Sequence, residues 1–295
     1  MEQGDTRNAS HAGSWYTENA TELEEELDDY LSKAEKTLPA GKLKGIIGPH
    51  AGFSYSGPTA AWAYINIDPT EYKRVFLLGP AHKVYLDGCA LSQCSIFETP
   101  LGNIDIDLDT VKALRDTGEF KEFSLAKDED EHSLEMHLPY IKKIFGDHPF
   151  KLVPIVVGSI DHKKEQKFGK ILSEYVEDEE NLFVISSDFC HWGDNFDYKP
   201  HDKKIDKSIS GYIKHLDHQG MELIEQQDPQ KFVDYLQDTH NTICGRHPIT
   251  VFLEAVKNSG LNTVTKFVKY AQSGEIKHKY DSSVSYAASY TMINP

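Results

Sequence analysis

The chain is short of three features that define whole classes of protein: paired cysteines, long apolar runs and positive charge. Its four cysteines, among 295 residues, show neither CxxC spacing nor the density of a disulfide framework. They are Cys89, Cys94, Cys190 and Cys244. We therefore expect four free thiols and a location in a reducing compartment such as the cytoplasm.

The N-terminal segment lacks the basic-then-apolar pattern of a signal peptide, and no apolar run approaches the ~20 residues that cross a bilayer. The formal net charge of -16, from 31 basic and 47 acidic residues, repels nucleic acid and anionic membrane surfaces. We expect neither nucleic-acid binding nor membrane insertion.

Short, nearly continuous apolar runs predict a sheet that is covered on both faces. Four such runs occupy 43–48, 74–79, 151–158 and 182–187. Uninterrupted apolar residues are typical of strands in a largely parallel sheet with helices on either side. Helical spacing at 164–178 predicts a β-α-β unit. These patterns predict a single α/β domain over 1–295, with three α-β-α layers around a largely parallel or mixed central sheet.

The remaining segments are mostly helical, with strands at the end of the chain. Residues 17–36 predict a surface helix, and 204–258 is mainly helical, with Pro229 in a first helical turn. The segments 264–274 and 282–293 have strand character. They fit either a hairpin or two central strands.

Three of the predicted strands deliver polar side chains just beyond their carboxyl ends. His50 follows 43–48 and His82 follows 74–79, each after a Gly-Pro step, while Asp188 and His191 follow the run that ends at 187. Sites in open α/β sheets gather at those ends. Imidazole and carboxylate groups there suit either a metal centre or general acid–base chemistry. A single Gly-Pro-His turn with a solvated histidine is the alternative.

Cys244 lies in a loop that leads into a helix near Pro248. Arg246 and the positive end of that helix favour thiolate over thiol, which would make Cys244 a metal ligand or a nucleophile. The alternative is a buried, inert cysteine.

The segment 128–141, DEDEHSLEMHLPYI, contains further candidates. On a helix His132 and Glu135 share a face, whereas on an extended segment Glu135 and His137 share one side. Pro139 favours the extended form, which makes Glu135 and His137 candidate substrate contacts. The acidic residues 128–131 are most simply a solvated loop.

Aromatic residues supply candidate pocket walls. Trp15, Tyr16 and Trp192 lie near the motifs described above and would line a cleft, although each fits an ordinary core position as well.

Seven blocks in order and spacing resemble the Memo family, which is named for mediation of receptor-tyrosine-kinase-driven cell motility. They cover nearly the whole chain and read HAGSWYT, GPHAGFSYSGP, GPAHKV, DEDEHSLEMHLPY, SSDFCHWG, HNTICGRHPI and DSSVSYAA. The Memo fold is similar to the catalytic subunit of class III extradiol dioxygenases, which are non-haem iron enzymes. The resemblance implies iron(II) or copper as cofactor, and a cytoplasmic location that extends to the nucleus.

The resemblance also assigns roles to individual residues. His50 and His82 match the two metal histidines, and Cys244 takes the place of the dioxygenase carboxylate. Asp188 and His191 match further pocket residues, one of which acts as acid–base catalyst in the dioxygenases. A thiolate softens the ligand set towards copper, zinc or thiolate-bound iron, which argues against ring cleavage.

Three functions follow as hypotheses. The first is a metal-binding protein with roles in redox or metal balance and in signalling linked to cell motility or growth form. The second is an enzyme, either an oxygenase or a hydrolase with Cys244 as nucleophile and His191 as base. The third is a metal-independent module that binds a phosphotyrosine-type peptide or a signalling protein in the same cleft.

Overall fold

The computed structural model describes residues 5–294, in which helices surround a sheet of nine strands, with a second sheet of three short strands. The strands are β1 (Thr6–Arg7), β2 (Leu43–Gly48), β3 (Arg74–Pro80), β4 (Cys89–Ser92), β5 (Ile96–Phe97), β6 (Ile104–Asp105), β7 (Lys121–Phe123), β8 (Lys151–Val157), β9 (Asn181–Ser186), β10 (His191–Trp192), β11 (Thr263–Gln272) and β12 (Ser283–Ile293). The α-helices are α1 (Ala20–Ser32), α2 (Phe53–Tyr64), α3 (Leu108–Asp116), α4 (Leu125–Asp130), α5 (His132–Glu135), α6 (Leu138–Phe145), α7 (His162–Glu177), α8 (Ile209–Glu225), α9 (Pro229–Thr239) and α10 (Arg246–Ser259).

The large sheet is mixed and has a parallel centre. Its order is β10-β12-β2-β9-β3-β8-β4-β7, with β11 paired to the other edge of β12. Strands β2, β9, β3 and β8 run parallel, whereas β12 and β4 run antiparallel to their neighbours β2 and β8. The register places Gly48 beside Ser186, so the carboxyl ends of β2 and β9 lie side by side. The predicted mixed α/β architecture is confirmed.

Helices cover both faces of this sheet. On the face where a side chain of residue 45 would lie, Gly45 of β2 packs against the ring of Phe252 in α10. Gly48, three residues on and therefore on the opposite face, is close to His137, whose ring bonds Tyr64 of α2. These contacts define the three α-β-α layers.

The four apolar runs are the strands β2, β3, β8 and β9, as predicted. The last two segments combine both open alternatives, since β11 and β12 form an antiparallel pair and β12 is also central, against β2. Helix α2, which starts three residues after His50, was not among the predicted helices.

The segment 128–141 differs from its predicted form. It is helical, in α4, α5 and α6, and is not extended at Glu135. The acidic run is not a solvated loop either, because Asp128 and Glu131 are buried. Pro139 does lie in the first turn of a helix.

All four cysteines are free thiols, as predicted. Within residues 5–294, no helix is both long and apolar enough to span a membrane. The single-domain interpretation covers 1–295; residues 1–4 and 295 lie outside the described residues, and this interpretation stays a prediction.

Candidate metal centre

His50 follows β2 in a tight, fully satisfied environment. Its backbone N–H donates to Asp188 Oδ1 at 2.8 Å, and its ring Nδ1 lies 2.6 Å from Ser186 Oγ. The Ser186 hydroxyl donates to the carbonyl of Ser133, so its oxygen accepts the proton of His50 Nδ1. Nε2 of His50 therefore carries the lone pair and faces the site. Burial lowers the pKa of His50, which keeps the ring neutral.

His82 follows β3 and is held by Glu131. Its Nδ1 lies 2.9 Å from Glu131 Oε1, and its backbone N–H donates to the other carboxylate oxygen. Burial by itself would raise the pKa of Glu131, but the hydrogen bonds from His82 and Ser133 lower it to about 2. An ionised carboxylate requires a proton on Nδ1, so Nε2 of His82 is left as an electron-pair donor.

His132 completes a cluster of three imidazoles. One ring nitrogen from each of His50, His82 and His132 lies within 4.8 Å of the others. The ring of His132 stacks on that of His82, with centroids 4.4 Å apart. Its Nδ1 is buried without a hydrogen-bond partner among the described residues, and burial, followed by the neighbouring His82, lowers its pKa to about 4. His132 was not among the predicted metal ligands.

Cys244, in the loop before α10, lies beside His50 but outside the group of three imidazole donors. Its Sγ lies 3.2 Å from His50 Nε2 and accepts the backbone N–H of Asp188 at 3.3 Å. The expected thiolate is wrong for this structure, because burial and the neighbouring Asp188 raise the pKa of Cys244 well above its usual range. The favourable charge of Arg246 is a smaller effect. The thiol proton is thus available to His50 Nε2.

Asp188 lies on the loop beyond β9, and His191 begins the short strand β10. Asp188 is buried, its Oδ2 is 4.0 Å from His50 Nε2, and burial raises its pKa. The backbone N–H of His191 donates to Thr242 Oγ1 at 2.7 Å, and its Nδ1 is 3.0 Å from the Thr242 carbonyl. These bonds tie the loop of His191 to the loop that carries Cys244.

Glu135 and Tyr16 belong to a buried network next to the centre. Glu135 forms an ion pair with Arg7 at 2.8 Å and accepts the hydroxyl of Tyr16 at 2.9 Å and the backbone N–H of His11 at 2.8 Å. Both side chains of the Arg7–Glu135 pair are fully buried. Arg7 also donates to the carbonyls of Asp128 and Glu131, which fixes the segment that carries Glu131 and His132.

The other predicted pocket residues differ in exposure. His137 is fully buried, with Nδ1 2.6 Å from the hydroxyl of Tyr64, and burial lowers its pKa to about 3. Trp192 is buried and donates its Nε1–H to the carbonyl of Pro200. Trp15 is 36% exposed and lies over the ring of His132, with centroids 4.4 Å apart. Trp15 is therefore the most exposed of the five, and their assignment to a pocket stays a prediction.

The donor atoms fit a transition metal. Neutral imidazole nitrogens and a cysteine thiolate are ligands that copper, zinc and iron accept, whereas magnesium and calcium prefer oxygen. The buried Nδ1 of His132 makes no hydrogen bond among the described residues, and one ring nitrogen from each of His50, His82 and His132 lies within 4.8 Å of the others, which favours such an ion. Glu131 supports His82 as carboxylates commonly support metal-bound histidines.

Comparison with known proteins places these residues in a family. The profile of the family described as Memo-like protein matches residues 7–290. Protein MEMO1 of Danio rerio is 49% identical over 287 residues, with 96% of each chain covered, and Protein MEMO1 of Homo sapiens is 49% identical over 288 residues, again with 96% covered. Protein memo-1 homolog of Caenorhabditis elegans is 43% identical over 294 residues, covering 98% of this chain and 83% of the relative.

A solved structure also resembles this chain. The uncharacterized protein JW3007 from Escherichia coli K12 aligns with a TM-score of 0.44 at 12% identity, covering 84% of this chain and 99% of that one.

Proposed function

The chain belongs to the Memo family, and from that premise we propose that it binds a redox-active metal ion, iron(II) or copper, at His50, His82 and Cys244. The observations that carry the proposal are two: ring nitrogens of His50, His82 and His132 lie within 4.8 Å of one another, and Cys244 Sγ lies 3.2 Å from His50 Nε2. A bound iron or copper ion would supply a one-electron couple, which suits a role in redox or metal balance.

The protein side of this site is already arranged for binding. Ser186 and Glu131 accept the Nδ1 protons of His50 and His82, so both Nε2 atoms carry a lone pair before an ion binds. The ion would replace the thiol proton that Cys244 shares with His50. His132, whose buried Nδ1 makes no hydrogen bond among the described residues, competes with Cys244 as third ligand.

Asp188 and His191 border the site as proton-handling groups. Since burial raises the pKa of Asp188, this carboxyl can hold a proton a short distance from His50. The Nδ1 of His191 donates to the Thr242 carbonyl, which leaves the lone pair on its Nε2. We assign these two residues acid–base roles towards whatever small molecule reaches the metal.

A second candidate function is peptide binding by the same cleft. The observation that favours it is Trp15, a large aromatic side chain that is 36% exposed directly above His132. An aromatic wall of this kind suits a phosphotyrosine-type peptide from a signalling protein, which would link the chain to cell motility or growth form in the cytoplasm or nucleus. Binding that survives chelators and is lost in Trp15→Ala would favour this function.

Calorimetric titration of Fe(II) and Cu(I) into anaerobically purified protein tests the metal proposal. We expect about one ion per chain in the wild type and at least tenfold weaker binding in Cys244→Ser, because loss of a ligand costs no less than the 10–100-fold typical of supporting residues. Cys94→Ser is the control, since Cys94 is also a free thiol and is not one of the proposed ligands. Wild-type affinity in Cys244→Ser contradicts the assignment of Cys244.

A further inference from the structure

A second group of donor side chains lies between the N-terminal ends of α7 and α10. It borders a cavity of about 560 Å³ whose lining includes His162, Glu165 and His247. The residues of the metal centre described above do not line this cavity. Thr242 does line the cavity, and it also bonds the backbone of His191. The loop 241–246 therefore lies between the cavity and the metal centre.

Glu165 orients two histidines at once. Its Oε2 lies 2.9 Å from Nδ1 of His162, and its Oε1 lies 2.7 Å from Nδ1 of His247. Glu165 is only 4% exposed, so its carboxylate needs both donors. With Nδ1 protonated in both neutral rings, each Nε2 carries a lone pair. The amide of Gln166, 3.2 Å from His162 Nε2, can donate to that lone pair.

Glu254 of α10 has a carboxylate oxygen that makes no hydrogen bond with any described residue. It is 2% exposed, and its Oε1 is buried without a hydrogen-bond partner among the described residues. This oxygen lies 3.6 Å from His162 Nε2, which is too long for a hydrogen bond. Its other oxygen has Lys257 at 4.0 Å. A buried carboxylate oxygen left unpaired is costly.

A metal ion accounts for that separation. Two ligands at ~2.1 Å from a tetrahedral ion lie ~3.4 Å apart, close to the spacing of His162 Nε2 and Glu254 Oε1. A carboxylate on the far nitrogen of a metal-bound histidine is the usual support for such a ligand, and Glu165 provides it. The amide of Gln166, on the exposed side of His162, would move away from Nε2 when the ion binds.

We propose that His162 and Glu254 form a second transition-metal site, suited to Zn(II), with Glu165 as the residue that positions His162. Water takes the remaining positions, while His247, oriented by the same Glu165, lines the adjoining cavity. Imidazole nitrogen and carboxylate oxygen are both ligands that zinc takes in proteins. This site does not depend on the proposed function of the first centre.

The test uses Zn(II) and Co(II) as probes and full-length protein in which the first centre is disabled by His82→Ala with Cys244→Ser. We expect this background to bind about one ion, and Co(II) to give the visible absorption of a tetrahedral complex. Adding His162→Gln or Glu254→Gln should weaken binding at least tenfold, and Glu165→Gln about 10–100-fold. His215→Gln, at an exposed histidine elsewhere on the surface, is the matched control.

Two outcomes overturn the proposal: a folded background that binds neither ion, or binding that His162→Gln and Glu254→Gln leave unchanged. If the background fails to fold, as judged by circular dichroism, the comparison moves to the wild type. There the number of zinc ions per chain should fall by about one in Glu254→Gln and stay constant in His215→Gln. An equal number in both variants rejects the site. Failure of the first centre affects none of these readings.

Discussion

Replacing Cys244 by serine tests which side chain gives up a proton when a metal ion binds. The ring pKa values of His50 and His132 are lowered by burial, so at about pH 8 both rings are neutral and release nothing. The pKa of Cys244 is raised by burial, so its thiol is protonated and must lose that proton to become a ligand.

The magnitude follows from this difference. We expect the wild type to release about one proton more per bound ion than Cys244→Ser does. Since the ion competes with that proton for Sγ, the affinity of the wild type rises with pH by about tenfold per unit, or ~1.4 kcal/mol, as long as the thiol is protonated. The affinity of Cys244→Ser should lack this contribution.

The assay is calorimetry in two buffers that differ in ionisation enthalpy at the same pH. The slope of the observed enthalpy against the buffer enthalpy gives the number of protons released. Comparing the two proteins cancels any proton from Asp188, whose pKa is also raised. Equal proton release in the wild type and the variant would refute the reasoning and make His132 the third ligand.

Three further changes probe the support of the centre. Glu131→Gln should weaken metal binding about 10–100-fold with the fold intact; unchanged affinity would remove Glu131 from the account. Arg7→Ala leaves a buried carboxylate unpaired and should lower the free energy of unfolding in urea by about 3–5 kcal/mol; a loss below ~1 kcal/mol contradicts this. Gly245→Ala puts a Cβ 2.3 Å from the Cβ of Ser187 and should lower the free energy of unfolding by about 1–3 kcal/mol. Gly274→Ala, which places its Cβ in open space, should lower it by less, and equal losses in the two variants would contradict the crowding at residue 245.

The strands and the approach of two of the histidines could be predicted because simple rules govern them. Strands β2, β3, β8 and β9 are buried on both faces, so their apolar runs are uninterrupted in the sequence. Parallel strands bring their carboxyl ends together, which places His50 and His82 with ring centroids 5.1 Å apart.

Glu131 and His132 could not be found in this way. An acidic run is typical of a solvated loop, and here it is buried because Arg7, over 120 residues away, bonds the backbone carbonyls of Asp128 and Glu131. The protonated state of Cys244 was not predicted, for a similar reason. Arg246 is close in sequence, but burial and Asp188, which comes from another strand end, decide the pKa.

Anomalous diffraction from crystals loaded with iron or copper tests directly whether His50, His82 and Cys244 bind the ion. We expect an anomalous peak at the absorption edge of the ion, about 2.0–2.3 Å from Nε2 of His50, Nε2 of His82 and Sγ of Cys244. A loaded crystal without a peak between these three atoms would contradict this expectation.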